Sequence, residues 1–222
     1  SSTATAAVAN VNDAPTGSVT IDDTTPTQGQ TLTASNTLAD ADGLGAISYT
    51  WKADGSTVGS GSTYVVTEAE VGKAITVVAS YTDGHGTAEG PLTSAPTAVV
   101  TNVNNPPVGV PSISGTPTED QTLTANTGSI SDADGLGTFS YQWLRNGSTL
   151  GGATANTYLL GDADVGAQLS VQVRYTDGGG TAEGPLTSAS VGPVANVNDA
   201  PVGVPTISGT ASKGQTLTAN TG

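Results

Sequence analysis

The chain has 222 residues, no cysteine and a formal charge of −14, with only five lysines and arginines. This charge disfavours nucleic acid and anionic membranes as partners, and the lack of cysteine excludes disulfides and thiol chemistry. No apolar run approaches the ~20 residues of a membrane span, so we expect no membrane insertion. Acidic chains rich in threonine and glycine are often disordered, but the apolar residues here alternate too regularly for disorder.

Alternating apolar residues predict short β-strands along the chain. These strands lie at residues 19–21, 32–34, 47–51, 64–66 and 75–81, and again at 139–143 and 169–175. Clusters of Gly, Asp, Asn and Pro separate them, and no segment has a helical period. Trp51 and Trp143 are in phase with the buried faces of their strands, which favours a core position over a role as sugar-stacking platforms.

The sequence repeats itself with a period of about 93 residues. The run YTDGHGTAEGPLTSA from Tyr81 returns from Tyr175 with His85 replaced by Gly179. The motif DADGLG returns after 92 residues, and the linker motif occurs three times, as VNDAP, VNNPP and VNDAP. About seven short strands per repeat, with a tryptophan on the third, predict an all-β fold of tandem immunoglobulin-like β-sandwich modules in a linear array.

The repeat pattern predicts four segments. Residues 1–12 are expected to be the last strand of a preceding repeat, over residues 1–8, followed by a linker. Residues 13–104 and 105–198 are the two immunoglobulin-like repeats, and residues 199–222 are the incomplete start of a third.

The acidic residues are concentrated rather than scattered. All but Asp22, Asp23 and Asp54 of the 19 fall in five recurring places: the linkers, the DADG loops, the TDG–AE loops, the TEAEVG and GDADVG turns, and the Glu119–Asp120 pair. In an immunoglobulin-like sandwich, the linker and the loops after the second and sixth strands lie at one end. Three acidic segments therefore converge where a repeat meets its predecessor, and few basic residues are available to balance them.

A hard divalent cation would balance these charges. Ca²⁺ takes 6–8 oxygen ligands, whereas Mg²⁺ needs a strict octahedron and Zn²⁺ prefers His or Cys. Residues i and i+2 of an extended loop point to one side, so Asp40 and Asp42 would grip one ion together. Solvated turn acids remain the alternative, because DADG alone is a common turn sequence and is not an EF-hand loop. The TEAEVG and GDADVG acids either cap their turns or reach the ion of the next repeat.

The motifs VNDAP, ADADGLG, SYxW and YTDGxGTAE resemble the bacterial immunoglobulin-like extender repeats of giant RTX adhesins secreted by type I systems, over essentially the whole chain. The linker and paired aspartates are also similar to those of cadherin repeats, where calcium stiffens domain junctions. The resemblance implies an extracellular, calcium-stiffened stalk on the bacterial cell surface that contacts neighbouring repeats of its own chain and projects a distal binding domain. Contacts with surface glycans or proteins would belong to other domains of the parent protein.

Carried over to this sequence, the family's junction ligands fall on two sets of residues. They are Asn12, Asp13, Asp40, Asp42, Asp83 and Glu89, and then Asn104, Asn105, Asp132, Asp134, Asp177 and Glu183. Two departures alter the charge of the junctions. Asn105 replaces the linker aspartate, and Glu119 aligns with Gln28 in one repeat and Lys213 in the other. The GGxGxD run of RTX segments does not occur.

Three other functions compete with the stalk. A subunit of an extracellular filament or surface layer would use the unpaired strand at residues 1–8 to join neighbouring chains. A glycan-binding module would need exposed aromatic residues. An enzyme could use the paired carboxylates, but the repeats share no His, Cys or Lys as a nucleophile or base, so we predict no enzymatic activity.

Overall fold

The computed structural model describes residues 3–221, which form an all-β chain. The helical segments in this range are two single 3₁₀ turns, Glu68–Glu70 and Asp162–Asp164, and no helix there is long and apolar enough to cross a membrane. The chain divides into two compact units. The first compact unit comprises residues 1–107, 132–136 and 177–181, and the second comprises residues 108–131, 137–176 and 182–222. Two acidic loops of the second repeat therefore belong to the first compact unit.

The first compact unit is a β-sandwich of seven strands. The strands are β1 (Val19–Ile21), β2 (Thr31–Asn36), β3 (Ser48–Ala53), β4 (Ser56–Ser60), β5 (Thr63–Val65), β6 (Ile75–Thr82) and β7 (Ala88–Thr93). One sheet has the order β1-β2-β5 and the other has the order β4-β3-β6-β7, and all pairs are antiparallel. The predicted all-β immunoglobulin-like fold is confirmed.

The core of the first unit forms where apolar residues alternate with polar ones. Along β6, every second side chain from Ile75 to Tyr81 is buried, as the period-2 pattern predicts. Trp51 is completely buried, and its indole N–H donates to the carbonyl of Gly61 at 2.9 Å. The ring stacks on Tyr64 with 5.9 Å between ring centroids. The predicted core position of the tryptophan is therefore confirmed.

The second compact unit repeats this architecture with different core residues. Its strands are β8 (Ser112–Ser114), β9 (Thr122–Asn126), β10 (Ser140–Arg145), β11 (Ser148–Thr149), β12 (Thr157–Leu159), β13 (Leu169–Thr176) and β14 (Ala182–Thr187). They form sheets of order β12-β9-β8 and β11-β10-β13-β14. Trp143 is again fully buried, and its indole N–H donates to the carbonyl of Ala155 at 2.9 Å.

The two ends of the described chain differ from these sandwiches. Strands β15 (Thr206–Ser208) and β16 (Thr218–Asn220) form a hairpin in which Thr206 pairs with Asn220. The same register joins Ser112 to Asn126 in the second repeat. Residues 3–8, where the sequence predicts a strand, carry none, because a segment becomes a strand only when a neighbour pairs with its backbone. Ser1 and Ser2 lie outside the described residues.

Replacing Trp51 by alanine should destabilise the first unit by about 3–5 kcal/mol, because it empties a fully enclosed core position. The matched control is Thr57→Ala on the exposed face of β4, which should cost less than about 1 kcal/mol. Calorimetry of the whole chain measures both. Equal losses in the two variants would contradict the assigned core.

Candidate metal centres

The linker before the first repeat is attached to both acidic loops of that repeat. The backbone N–H of Asp13 donates to Asp42 Oδ2 at 2.7 Å, and Asn12 Nδ2 donates to Glu89 Oε1 at 2.7 Å. The predicted convergence of linker, DADG loop and TDG–AE loop is therefore present in the first compact unit. We refer to these residues, together with Asp40 and Asp83, as the first acid cluster.

Asp40 and Asp42 take different positions in their loop. Asp40 Oδ1 accepts from the backbone N–H of Asp42 at 2.9 Å, and its Oδ2 accepts from the hydroxyl of Tyr81 at 2.5 Å. The carboxylate of Asp40 therefore fixes the shape of the turn through both of its oxygens. Joint binding of one ion by Asp40 and Asp42 stays a prediction. Asp42 is buried, and its carbonyl accepts from Gly84 N at 3.1 Å, which ties the two loops together.

Gly84 is the residue that allows this approach of the two loops. A Cβ at position 84 would lie 2.5 Å from the carbonyl oxygen of Asp42, and one at Gly178 would lie 2.4 Å from that of Asp134. A side chain cannot be accommodated against backbone at these distances. The glycine after each TD pair is thus required by the loop contact itself.

Asp83 has one satisfied and one unsatisfied carboxylate oxygen. Its Oδ1 accepts from the backbone N–H groups of His85 at 2.9 Å and Thr87 at 2.7 Å, whereas its Oδ2 is buried without a partner. Desolvation raises the pKa of this carboxyl, but the backbone donors of Thr87 and His85 outweigh it and hold the pKa below its ordinary value. The Oδ2 atom of the Asp83 carboxylate is therefore buried without a hydrogen-bond donor.

A second acid cluster in the first compact unit repeats this arrangement. Asn105 N donates to Asp134 Oδ2 at 2.5 Å, and Thr181 N donates to Asp177 Oδ1 at 2.7 Å. The remaining oxygens, Asp134 Oδ1 and Asp177 Oδ2, are buried without partners. An oxygen of Asp132 lies within 4.8 Å of one from Asp177. Two like charges 4 Å apart near a protein surface repel by about 4 kcal/mol, so this cluster favours a cation.

Two further residues of the second acid cluster lie outside the two predicted ligand sets, although reaching this ion was one of the two roles expected for Glu68. Asn102 Oδ1 is buried without a partner, and the repetition of this asparagine at Asn10 and Asn196 was a signal that could have identified it. Glu68 lies against Asp134: burial raises the pKa of Glu68, and the negative charge of Asp134 raises it further. Within the described residues, every buried side-chain nitrogen or oxygen without a hydrogen-bond partner belongs to one of these two clusters.

The two acids of the TEAEVG turn divide the two predicted roles between them. Glu70 is buried, and its Oε2 accepts from the backbone N–H of Thr67 at 2.9 Å and from its hydroxyl at 2.7 Å. Glu70 therefore caps the turn, whereas Glu68 faces the acid cluster. In the second unit, Asp164 has the capping position, with Gly161 N at 3.0 Å, and also pairs with Arg145 at 2.6 Å.

A third acid cluster lies in the second compact unit. Oxygens of Glu119, Asp162 and Asp199 all lie within 4.8 Å of one another. The hydrogen bond with Asp162 raises the pKa of the buried Glu119. Glu119 Oε2 accepts from Val197 N at 2.9 Å. In the first repeat, the residue that aligns with Glu119 is uncharged and makes the same contact with the following linker.

That aligned residue is Gln28, whose Oε1 accepts from Val103 N at 3.1 Å. Gln28 and Glu119 thus hold the following linker in the same way, and only Glu119 adds a negative charge. Two predicted ligands, Glu183 and Asn104, remain to be placed. Glu183 lies on β14 opposite Tyr175 in the second unit, and Asn104 is exposed in the linker. Metal binding by all these residues stays a prediction.

No protein-family model matches this chain, and no curated protein matches it either. Among solved structures, it is similar to the fibronectin(III)-like modules of Clostridium thermocellum CbhA, at 18% identity over 80% of this chain and 94% of that one, with a TM-score of 0.27. A run of titin domains shares 12% identity over 82% and 68% of the two chains, with a TM-score of 0.31.

A third similar structure contains three N-terminal domains of the bacteriophage RB49 highly immunogenic outer capsid protein. It shares 17% identity, covers 79% of this chain and 59% of that one, and has a TM-score of 0.28. The fold stated for the present chain rests on its own strands and sheets, which define it as a chain of immunoglobulin-like β-sandwich modules.

The two acids of the TEAEVG turn should respond in opposite ways to truncation in the presence of EDTA. Glu70→Ala should cost about 1–3 kcal/mol, because it leaves the N–H of Thr67 without an acceptor. Glu68→Ala should cost nothing or stabilise the protein slightly, because it removes a charge repelled by Asp134. Denaturant unfolding measures both values, and a similar loss in the two variants would refute the division of roles.

Proposed function

We propose that this chain is a calcium-stiffened extender segment of a large bacterial cell-surface adhesin. The observation that supports it is the set of partnerless buried oxygens of Asp83, Asn102, Asp134 and Asp177. Buried polar atoms in proteins are nearly always paired, so four such atoms in two similar clusters suggest a ligand that supplies the missing contacts. Carboxylate and amide oxygens together are the donor set that Ca²⁺ prefers.

Calcium is favoured by the type of ligand atom and by the backbone groups that orient these atoms. The second acid cluster offers oxygens only, and several are oriented by backbone N–H groups rather than by other side chains. Ca²⁺ accepts such a flexible set of six to eight oxygens, whereas Zn²⁺ would need nitrogen or sulfur ligands. The ion would cancel the repulsion among Asp132, Asp134 and Asp177 and would add their attraction to the stability of the folded chain.

The positions of the candidate ligands in the sequence support a stalk function. Asn102 and Asn105 belong to the linker, Glu68 to the preceding repeat, and Asp134 and Asp177 to the following one. An ion that these residues share would restrict the linker, because each ligand it holds loses conformational freedom that the binding free energy offsets. Calcium-poor cytoplasm would leave the linkers loose, and calcium-rich surroundings would stiffen them outside the cell.

The competing glycan-binding function has less support. Stacking on sugars requires exposed aromatic faces, and both tryptophans are completely buried in the two cores. An array of sandwich modules is instead suited to spanning distance, since each module adds a similar length. The similarity of the motifs to extender repeats of RTX adhesins favours the cell surface as the location.

Calcium should raise the thermal midpoint of the chain, and a substitution in the second acid cluster should reduce this effect. At 100 times its dissociation constant, an ion bound only by the folded form adds ~2.7 kcal/mol per site. Asp177→Asn should reduce the calcium-induced shift measured by calorimetry, because it neutralises a buried carboxylate whose Oδ2 has no partner. The control is Asp54→Asn, which removes an equal charge from a turn where the second repeat already has Asn146.

Calcium should also reduce the range of conformations of the chain in solution. Small-angle scattering in EDTA should show a broad distribution of maximum dimensions, and millimolar calcium should narrow it. The Asp177→Asn variant should remain broad in calcium. Identical profiles of the wild-type chain in both conditions would refute the stalk function, and higher-order assembly in calcium would favour a filament or surface layer.

A further inference from the structure

The TDG–AE loops of the two repeats differ at a single position. His85 in the first loop is replaced by Gly179 in the second, and the flanking residues are identical. The bonds that shape the loops are also the same, since Thr87 N and Thr181 N each donate to the preceding aspartate Oδ1 at 2.7 Å. The two loops therefore allow a direct comparison of histidine with glycine at the same position.

Gly179 leaves space that the linker asparagine fills. A Cβ at position 179 would lie 2.5 Å from Asn102 Nδ2 and 3.4 Å from Asp177 Oδ1. Heavy atoms do not approach a Cβ to 2.5 Å, so any side chain at this position would displace the Asn102 amide. The same amide carries one of the partnerless buried oxygens of the second acid cluster.

In the first repeat, this position carries the imidazole of His85. His85 Nδ1 lies 3.2 Å from the carbonyl oxygen of Asp42 and 3.6 Å from its Oδ1. Asn10, which corresponds to Asn102 in the repeat pattern, is exposed. The ring therefore contacts the DADG loop directly, and the linker asparagine remains outside.

The backbone does not require glycine at position 179. Its φ lies outside the left-handed region that favours glycine, unlike the φ of +91° at the neighbouring Gly180. The histidine at the equivalent position of the first loop also shows that this turn accepts a side chain. Glycine matters at position 179 because it has no side chain and so leaves room for the Asn102 amide.

We propose that the residue at this position determines whether the preceding linker docks into the loop. Gly179 admits the amide of Asn102 and adds its oxygen to the ligands of the second acid cluster. His85 excludes Asn10 and leaves the first acid cluster without that oxygen. This inference rests on the proposed calcium function, and it makes the two clusters unequal in affinity: the cluster with glycine binds calcium more tightly.

The test is a calcium titration of the whole chain by isothermal calorimetry. Gly179→Ala should weaken binding at the tighter sites at least about tenfold, the scale on which loss of a supporting group usually affects a metal site. Asn102→Ala should produce a loss of the same size. The control is Gly151→Ala, because a Cβ at that glycine meets nothing within 4 Å and its φ is not left-handed.

A double-mutant cycle separates docking from simple strain. If Gly179→Ala acts by displacing Asn102, adding it to Asn102→Ala should change the affinity by less than about twofold, because the two residues act through one contact. Losses that multiply in the double variant would overturn the inference. If the wild-type chain binds calcium and Gly179→Ala binds it equally well, the docking inference is overturned but the proposed function is not. If the wild-type chain does not bind calcium, both the inference and the proposed function are overturned.

Discussion

Backbone N–H groups bind one oxygen of three buried carboxylates in the acid clusters, Asp83, Asp134 and Asp177, and leave the other oxygen of each without a partner. The N–H groups of Thr87 and Thr181 hold Asp83 and Asp177 in this way, and that of Asn105 holds Asp134. In the second acid cluster, a carboxylate oxygen of Asp132 lies within 4.8 Å of one from Asp177. The loops, the linker and the glycines between them surround these carboxylates, and the proposed calcium ion would supply the contact that their second oxygens lack.

The β-sandwich could be predicted from the sequence because it depends on a pattern that a strand imposes. Burial of alternate residues along β6 and of Trp51 follows from the period of two, so both were predicted correctly. The convergence of acidic loops followed from the fold topology. The direction of single side chains could not be predicted in this way: Asp40 accepts from the Asp42 amide and the Tyr81 hydroxyl, which spacing alone does not indicate.

The roles of the turn acids and of the linker asparagine depend on contacts that the spacing does not determine. Glu68 and Glu70 are the same residue type in the same turn, yet Glu68 faces Asp134 whereas Glu70 caps the turn at Thr67. Asn102 recurs in each linker, but its burial depends on the glycine of a loop 77 residues further along the chain. Repetition thus indicates which positions matter, and the three-dimensional contacts decide how each one is used. The pair of Gln28 and Glu119 shows the same principle, since the contact with the linker is retained while the charge varies.

The chain has two tryptophans, one at the centre of each compact unit, and each indole is fully shielded with its N–H bound to a carbonyl. Indole emission is sensitive to water, so each ring is an intrinsic fluorophore that reports the opening of its own unit. Substituting phenylalanine for one ring at a time would let ordinary fluorescence follow the two units independently, without any attached dye.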